Sequence, residues 1–293
     1  MKSILLTMFD GLFNTKVGLA LGGGAAKGVA HIGVLKALAD AEVKVDYLAG
    51  TSVGSMVAAL FAFGVDLDEI DKLARRLTLA KITTLRFTKT GLFATDSIHD
   101  LIVEHLGDVN IEDALIPLAI VATDITTGRP VILREGSLAQ AVCASSAIPG
   151  IYSPVVIDGQ TLVDGGLVQN VPLAPLKEMG AGVTIASHLS SVDQYPTPTH
   201  VLDVARNAFE IAVSENTRNQ VAKADILLAM NLSQFSFRDN TDRYDELYSI
   251  GYDTCKAKIG TLRWYHRGNL LLYMWRALRQ LAPFKVPELF TRL

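Results

Sequence analysis

Ala49-Gly50-Thr51-Ser52-Val53-Gly54 is the stretch whose reading decides this chain. Residues 45–48 in front of it read as a short strand bounded by turn residues, and residues 55–62 behind it as a buried helix. Gly50-x-Ser52-x-Gly54 therefore stands between strand and helix, the context that a G-x-S-x-G elbow requires. A strand that turns straight into a helix strains the residue between them and points its side chain outward. Gly50 and Gly54 leave room for the two elements to approach. The helix N-terminus then lies beneath Ser52, where its free N–H groups favour negative charge. Ser52 is accordingly a candidate nucleophile. Taken alone, the same pattern also fits a tight strand-to-helix turn with an incidental serine.

Upstream, residues 17–21 form an apolar run suited to a buried first strand. It leads into Gly22-Gly23-Gly24-Ala25-Ala26-Lys27-Gly28 and then a helix over 29–39. Strand, glycine-rich loop and helix present bare backbone N–H groups to an anion. Spacing decides which anion. A Walker loop needs Gly-Lys-Ser/Thr, but Lys27 precedes Gly28 and Val29 follows. A dinucleotide fingerprint starting at Gly22 would need glycine where Lys27 stands. What remains is an oxyanion hole over Gly22, Gly23, Gly24, Lys27 and Gly28, with Lys27 adding charge or anchoring the loop. The alternative is a glycine-rich turn that merely packs close to the sheet. His31, on the helix behind this loop, reads as a packed or capping residue rather than a catalyst.

Downstream, residues 155–157 and 161–163 flank Asp158-Gly159, a hairpin signal. The second strand runs directly into Asp164-Gly165-Gly166. An aspartate at a strand end, followed by two glycines, stands on a bare loop that another group can approach; an ordinary Asp-Gly turn looks the same. A nucleophilic serine needs a base. His99, His105, His188, His200 and His266 follow Ser52, and none lies in a strand-end glycine loop, whereas Asp164 does. A Ser52–Asp164 dyad fits this better than a triad.

Elsewhere, the pattern predicts an amphipathic helix over 66–79, with Asp66 as its cap and Glu69 three residues on. Residues 81–95 read as a loop or lid, or as a plain surface connection. Helices are expected over 97–106, 137–146, 172–179, 201–221 and 242–259, and strands over 117–123, 131–133, 182–187 and 224–230. A polar loop is expected over 193–198. Ser145 and Ser146 read as structural residues in a tightly packed helix end. Strands alternating with helices imply an α/β fold with a largely parallel sheet covered on both faces.

The 293 residues suit one large α/β domain or two small ones. With 49% hydrophobic and 19% charged residues the chain is globular, and a net charge of −3 argues against nucleic acid as its partner. Cys143 and Cys255 form no disulfide framework, which suggests a reducing compartment. No apolar run reaches the ~18–20 residues needed to span a bilayer. Asp10 interrupts the apolar N-terminus, so residues 1–16 read as a short amphipathic segment of a cytoplasmic protein. The tail differs: from Lys256 onward there are eight Lys or Arg and one acidic residue, Glu288, so this part carries seven net positive charges and the rest ten net negative. Within residues 261–293, a helix expected over 269–282 sets Leu271, Met274, Trp275, Leu278 and Leu281 opposite Arg276 and Arg279. That composition suits peripheral contact with an anionic inner-membrane surface. It also suits a terminal helix packed on the acidic body, or a dimer contact.

Together, in chain order, three stretches resemble the patatin-like phospholipase family. Gly22 to Gly28 resembles its oxyanion loop, with Lys27 where many members carry arginine. Gly50-Thr51-Ser52-Val53-Gly54 resembles its nucleophile elbow, and Asp164-Gly165-Gly166 its D-G-A/G. Ala122-Thr123-Asp124, Ala144-Ser145-Ser146-Ala147-Ile148-Pro149 and Asn170-Val171-Pro172 also resemble family sequence. The resemblance covers roughly residues 17–230, and residues 17–260 are taken as the catalytic domain. It implies a three-layer α/β/α sandwich, Ser52 as nucleophile, Asp164 as base and an oxyanion hole in the loop from Gly22 to Gly28. It further implies hydrolysis of acyl esters in lipids through an acyl-enzyme, without metal or cofactor. Transfer of the acyl group to an acceptor other than water uses the same acyl-enzyme, and a non-hydrolytic lipid- or protein-binding module is a third reading.

Overall fold

In the computed structural model of this chain, the residues described are 15–76, 84–85, 93–190, 195, 197–235 and 243–266. Most of the amphipathic N-terminus, the helix expected over 269–282, most of the expected loop 81–95 and half of that over 193–198 lie outside them. The chain divides into two compact units, Lys16–Ile259 and a second made of Met1–Thr15 with Gly260–Leu293.

The first unit begins with β1 (Val17–Leu21), buried along its whole length. A 3-10 turn (Ala25–Gly28) leads into α1 (Val29–Asp40). β2 (Tyr47–Thr51) starts later than its apolar pattern suggests and continues through Gly50 and Thr51, so α2 (Val53–Ala62) begins immediately after Ser52. The elbow is thus sharper than the sequence reading placed it. α3 (Leu67–Arg76) is opened by Asp66, whose Oδ1 accepts the Asp68 N–H at 2.8 Å. Within the expected loop 81–95, β3 (Thr84–Leu85) and β4 (Phe93–Ala94) pair antiparallel. There follow α4 (Asp96–Leu106), β5 (Leu118–Asp124), β6 (Arg129–Leu133) and α5 (Leu138–Ser145). β7 (Val155–Ile157) and β8 (Gln160–Asp164) form the expected hairpin. Its turn residues Asp158 and Gly159 both have positive φ, 48° and 76°, as a two-residue hairpin with the right twist demands. After β8 the sequence suggested a bare loop; instead a short helix, α6 (Gly166–Gln169), starts at once. Next come α7 (Leu173–Glu178), which Pro172 caps, β9 (Val183–Ser190), α8 (Val201–Val221), β10 (Ile226–Asn231) and α9 (Tyr244–Lys256). The helix expected over 242–259 ends at Lys256, and α10 (Ile259–His266) follows a two-residue turn.

The sheet has the order β10-β9-β1-β2-β5-β8-β7, with β6 pairing β5. The first five of these strands are mutually parallel, and β6, β7 and β8 add an antiparallel end. Helices cover both faces, as the class requires. On one face the small residues Ala20, Ala49, Ala119 and Ala186 pack under Leu173 and Leu176 of α7. Alternation sends Leu19, Leu21, Leu48, Ile120 and Ile185, all fully buried, to the other.

On that second face α1 and α9 cross with almost no side chain between them. A Cβ at Gly251 would lie 1.9 Å from the Ala30 carbonyl oxygen, and one at Gly33 would lie 2.1 Å from that of Tyr248. Backbone cannot yield as a side-chain tip can. Gly251→Ala and Gly33→Ala are each expected to lower the urea-unfolding free energy by roughly 1–3 kcal/mol. Once one has forced the helices apart the other has less to disturb, so the double variant should fall short of additivity. Wild-type stability in both single variants would contradict this crossing.

Candidate active site

The site is made by two strand ends that meet on a third strand. β2 pairs with β5 from Leu118 to Val121, with Thr51 opposite Val121. β8 pairs with β5 from Ala122 to Asp124, with Asp164 opposite Ala122. β6 pairs with β5 from Ile120 to Asp124, overlapping both, so β2 and β8 must lie end to end along the opposite edge. The last residue of β2 and the last residue of β8 therefore face consecutive residues of β5. Ser52 leaves the first end and Asp164 forms the second.

Ser52 has φ 53° and ψ −128°, a left-handed conformation that non-glycine residues rarely hold. Three contacts keep it there. Its carbonyl accepts the Ser55 N–H at 2.8 Å and the Ser55 hydroxyl at 2.6 Å. Its N–H donates to Ser145 Oγ at 2.9 Å, and Ser145 Oγ in turn donates to the Val121 carbonyl at 2.6 Å. Ser145 thus joins two backbone groups left over where β2 ends, which agrees with its reading as a structural residue. Gly54 has no alternative here: a Cβ on it would stand 2.2 Å from the Leu21 carbonyl oxygen. Gly50, Gly165 and Gly166 line the same junction of strand ends.

Asp164 is only 2% exposed. Its Oδ1 accepts the Gly166 N–H at 2.7 Å, and the Ser52 side chain stands at the carboxylate and favours its charged form. Burial pushes its pKa up to about 6, against the pull of these two groups. Its backbone carbonyl takes the Thr123 hydroxyl at 2.9 Å, and Thr51 Oγ1 donates to the Gln169 carbonyl at 2.9 Å, so both strand ends are tied to α6 and β5. Among the described residues no histidine hydrogen-bonds Ser52 or Asp164.

The glycine loop crosses directly above. A Cβ on Gly23 would fall 3.2 Å from Ser52 Cβ and 2.7 Å from Asn170 Oδ1. The Gly22 N–H donates to the Ser187 carbonyl at 3.1 Å, and the Gly23 N–H to Asn170, at 3.0 Å to Oδ1 and 3.3 Å to the carbonyl. Ala25 takes a positive φ of 50°, and the Lys27 N–H closes the turn on the Gly24 carbonyl at 3.2 Å. The N–H groups of Gly24, Ala25 and Ala26 have no acceptor among the described residues. Lys27 is largely buried, which lowers its pKa, and it is attracted to Glu210 of α8. Gly28 ends the turn against Val53, the first residue of α2.

Several of these partners escaped the sequence reading. In the sequence Asn170 stands out only as part of a block that resembles the family, and Ser187 carries no signal at all. Among the described residues no group of three or more His, Cys, Asp or Glu could hold a metal ion, and no helix is long and apolar enough to cross a membrane.

Comparison with known proteins bears on this arrangement. The family model for patatin-like phospholipases matches residues 19–177, a span that contains the glycine loop, Ser52 and Asp164. The chain is 38% identical over 189 residues to an uncharacterized NTE family protein of Mycobacterium tuberculosis, a match taking in 64% of this chain and 52% of that one. It is 30% identical over 294 residues to patatin-like phospholipase domain-containing protein 6 of Homo sapiens, taking in 89% of this chain and 21% of the human protein. The chain thus spans about half the length of the mycobacterial relative and about a fifth of the human one. The crystal structure of VipD from Legionella pneumophila has the same fold, with a TM-score of 0.58 at 14% identity, over 85% of this chain and 67% of that one.

Burial of Asp164 has a consequence for stability. Its folded pKa of about 6 lies above the unfolded value of about 3.9. The stabilisation from its protonated form is therefore complete below pH ~4 and is lost as pH rises through about 6. Asp164→Asn cannot ionise. Relative to wild type it should gain about 2 kcal/mol between pH 4 and pH 7 in urea unfolding. A difference between the two proteins that does not change with pH would show that Asp164 is not held as a buried acid.

Proposed function

The chain belongs to the patatin-like phospholipase family, and on that premise we propose that it is a serine lipid acyl hydrolase, of phospholipase A or esterase type, working through a Ser52–Asp164 dyad. The observation that carries the proposal is the Ser52 side chain standing at the buried Asp164 carboxylate and favouring its charged form, with no histidine hydrogen-bonded to either among the described residues.

In this reading the ionised Asp164 takes the hydroxyl proton as Ser52 Oγ attacks the ester carbonyl carbon. The carbonyl oxygen becomes an oxyanion. The Gly23 N–H is already committed to Asn170, so the donors assigned to it are the N–H groups of Gly24 and Ala25, at the start of the 3-10 turn. The proton on Asp164 passes to the leaving alcohol as the C–O bond breaks, which leaves an acyl group on Ser52. Water then attacks, giving its proton to Asp164; collapse releases the fatty acid and returns the proton to Ser52. An acceptor alcohol in place of water would make the same acyl-enzyme a transferase. A carboxyl with a pKa near 6 is a stronger base than an ordinary aspartate yet stays ionised at neutral pH. Approach to a lipid surface is assigned to the basic tail from Lys256 onward, on its seven net positive charges.

Ser52→Ala should hold less than about 1% of wild-type turnover of a p-nitrophenyl ester and should not label with a fluorophosphonate. Asp164→Asn should be similarly inactive, whereas His188→Ala and His200→Ala should keep most activity. The kcat/KM of wild type should rise with pH through a single ionisation near pH 6. A histidine variant as inactive as Asp164→Asn would replace the dyad with a triad.

A further inference from the structure

His31 has no part in the chemistry above, yet it is fully enclosed and both its ring nitrogens are engaged. Nε2 lies 2.8 Å from the Gly22 carbonyl oxygen, and Nδ1 lies 2.8 Å from Ser187 Oγ. A carbonyl can only accept, so Nε2 carries the proton. Nδ1 of the neutral ring is then the acceptor, and Ser187 donates to it. The ring is neutral because burial drives its pKa down to about 4.

The Gly22 carbonyl and the Gly23 N–H belong to one planar peptide unit and point in opposite directions from it. His31 holds the oxygen end, and Asn170 Oδ1 holds the hydrogen end at 3.0 Å. Glycine on either side would otherwise let this plane rotate easily. The two side chains restore an orientation that the backbone by itself does not enforce. The next peptide units in the chain carry the N–H groups of Gly24 and Ala25.

We propose that His31 is a positioning residue: by gripping the Gly22 carbonyl while braced against Ser187, it sets the peptide plane from which the oxyanion donors of the loop are aimed at Ser52. The proposal rests on the hydrolase reading for its catalytic consequence, but the grip itself does not depend on it.

The test compares the wild-type chain of 293 residues with His31→Phe, which keeps a ring and removes both hydrogen bonds, and His31→Gln, whose amide nitrogen can reach the Gly22 carbonyl. Val34→Ala, a fully buried change on the same helix away from the loop, serves as the control for stability loss. His31→Phe is expected to lower kcat about tenfold or more with KM within about twofold. His31→Gln should recover to within a few-fold of wild type, and Val34→Ala should keep kcat despite a lower melting temperature. Hydrogen exchange of the amides at residues 22–25 should quicken in His31→Phe and stay slow in Val34→Ala. Imidazole nitrogen shifts in wild type should show the proton on Nε2. If His31→Phe does not fold, Ser187→Ala carries the same comparison, with a several-fold fall in kcat expected. Equal kcat in His31→Phe and Val34→Ala, or quickened loop exchange with kcat unchanged, would overturn the positioning role. If wild-type turnover survives Ser52→Ala, it is the hydrolase reading that fails, and loop exchange with the imidazole shifts still decides whether His31 grips the loop.

Discussion

The site depends on one constraint, the register of β5. This strand offers a single edge to two partners in succession: parallel β2 up to Val121, then antiparallel β8 from Ala122. A slip of one residue in either pairing would turn the side chains of that strand to the other face of the sheet. Ser52 and Asp164 would then no longer meet. The antiparallel end of the sheet exists to make this possible, since a further parallel strand could not run into β2 head-on. The β7–β8 hairpin, with its two positive-φ turn residues, delivers β8 in the required direction.

Strand ends leave backbone groups without ladder partners, and in a buried site each must be satisfied locally. The molecule does this with short polar side chains. Ser145 joins the Ser52 N–H to the Val121 carbonyl, Thr123 takes the Asp164 carbonyl, and Thr51 reaches the Gln169 carbonyl. Asn170 and His31 do the same for the glycine loop. Gln220 of α8 fastens α6 and the segment after it, with Nε2 donating to the Val168 carbonyl at 2.9 Å and Oε1 accepting the Val171 N–H at 3.2 Å. These bonds hold a strained serine and a buried carboxyl in one place, and both are costs to folding. A serine at positive φ and an aspartate with a raised pKa are states that the surrounding network over-determines.

Close packing supplies the rigidity behind that network. The glycines of α1 and α9 let two helices cross backbone to backbone, which fixes α1 on the sheet. α1 carries His31, so this distant contact also governs where the imidazole stands relative to Gly22 and Ser187. Alanines beneath α7 bring the opposite layer equally close, and the short connection from α6 to α7 holds Asn170 against the loop.

Much of this was legible in the sequence wherever the cause is local. The elbow, the glycine loop, the Asp158-Gly159 hairpin and α8 follow from turn chemistry and from periods of two and 3.6 residues, which neighbours in the chain impose on one another. The alternation of strands and helices likewise settles the α/β class. Boundaries were less legible: β2 extends to Thr51 because its β5 partner continues that far, which apolar patterning cannot report. Tertiary structure alone decided what each polar group meets. His31 finds Ser187 156 residues away, Gly23 finds Asn170 147 residues away, and Ser52 finds Ser145 93 residues away. The meeting of Ser52 with Asp164 is of the same kind. Hydrogen bonds of this range are set by strand register and helix docking. Those depend on the burial of the whole core, and no short stretch of sequence contains that information.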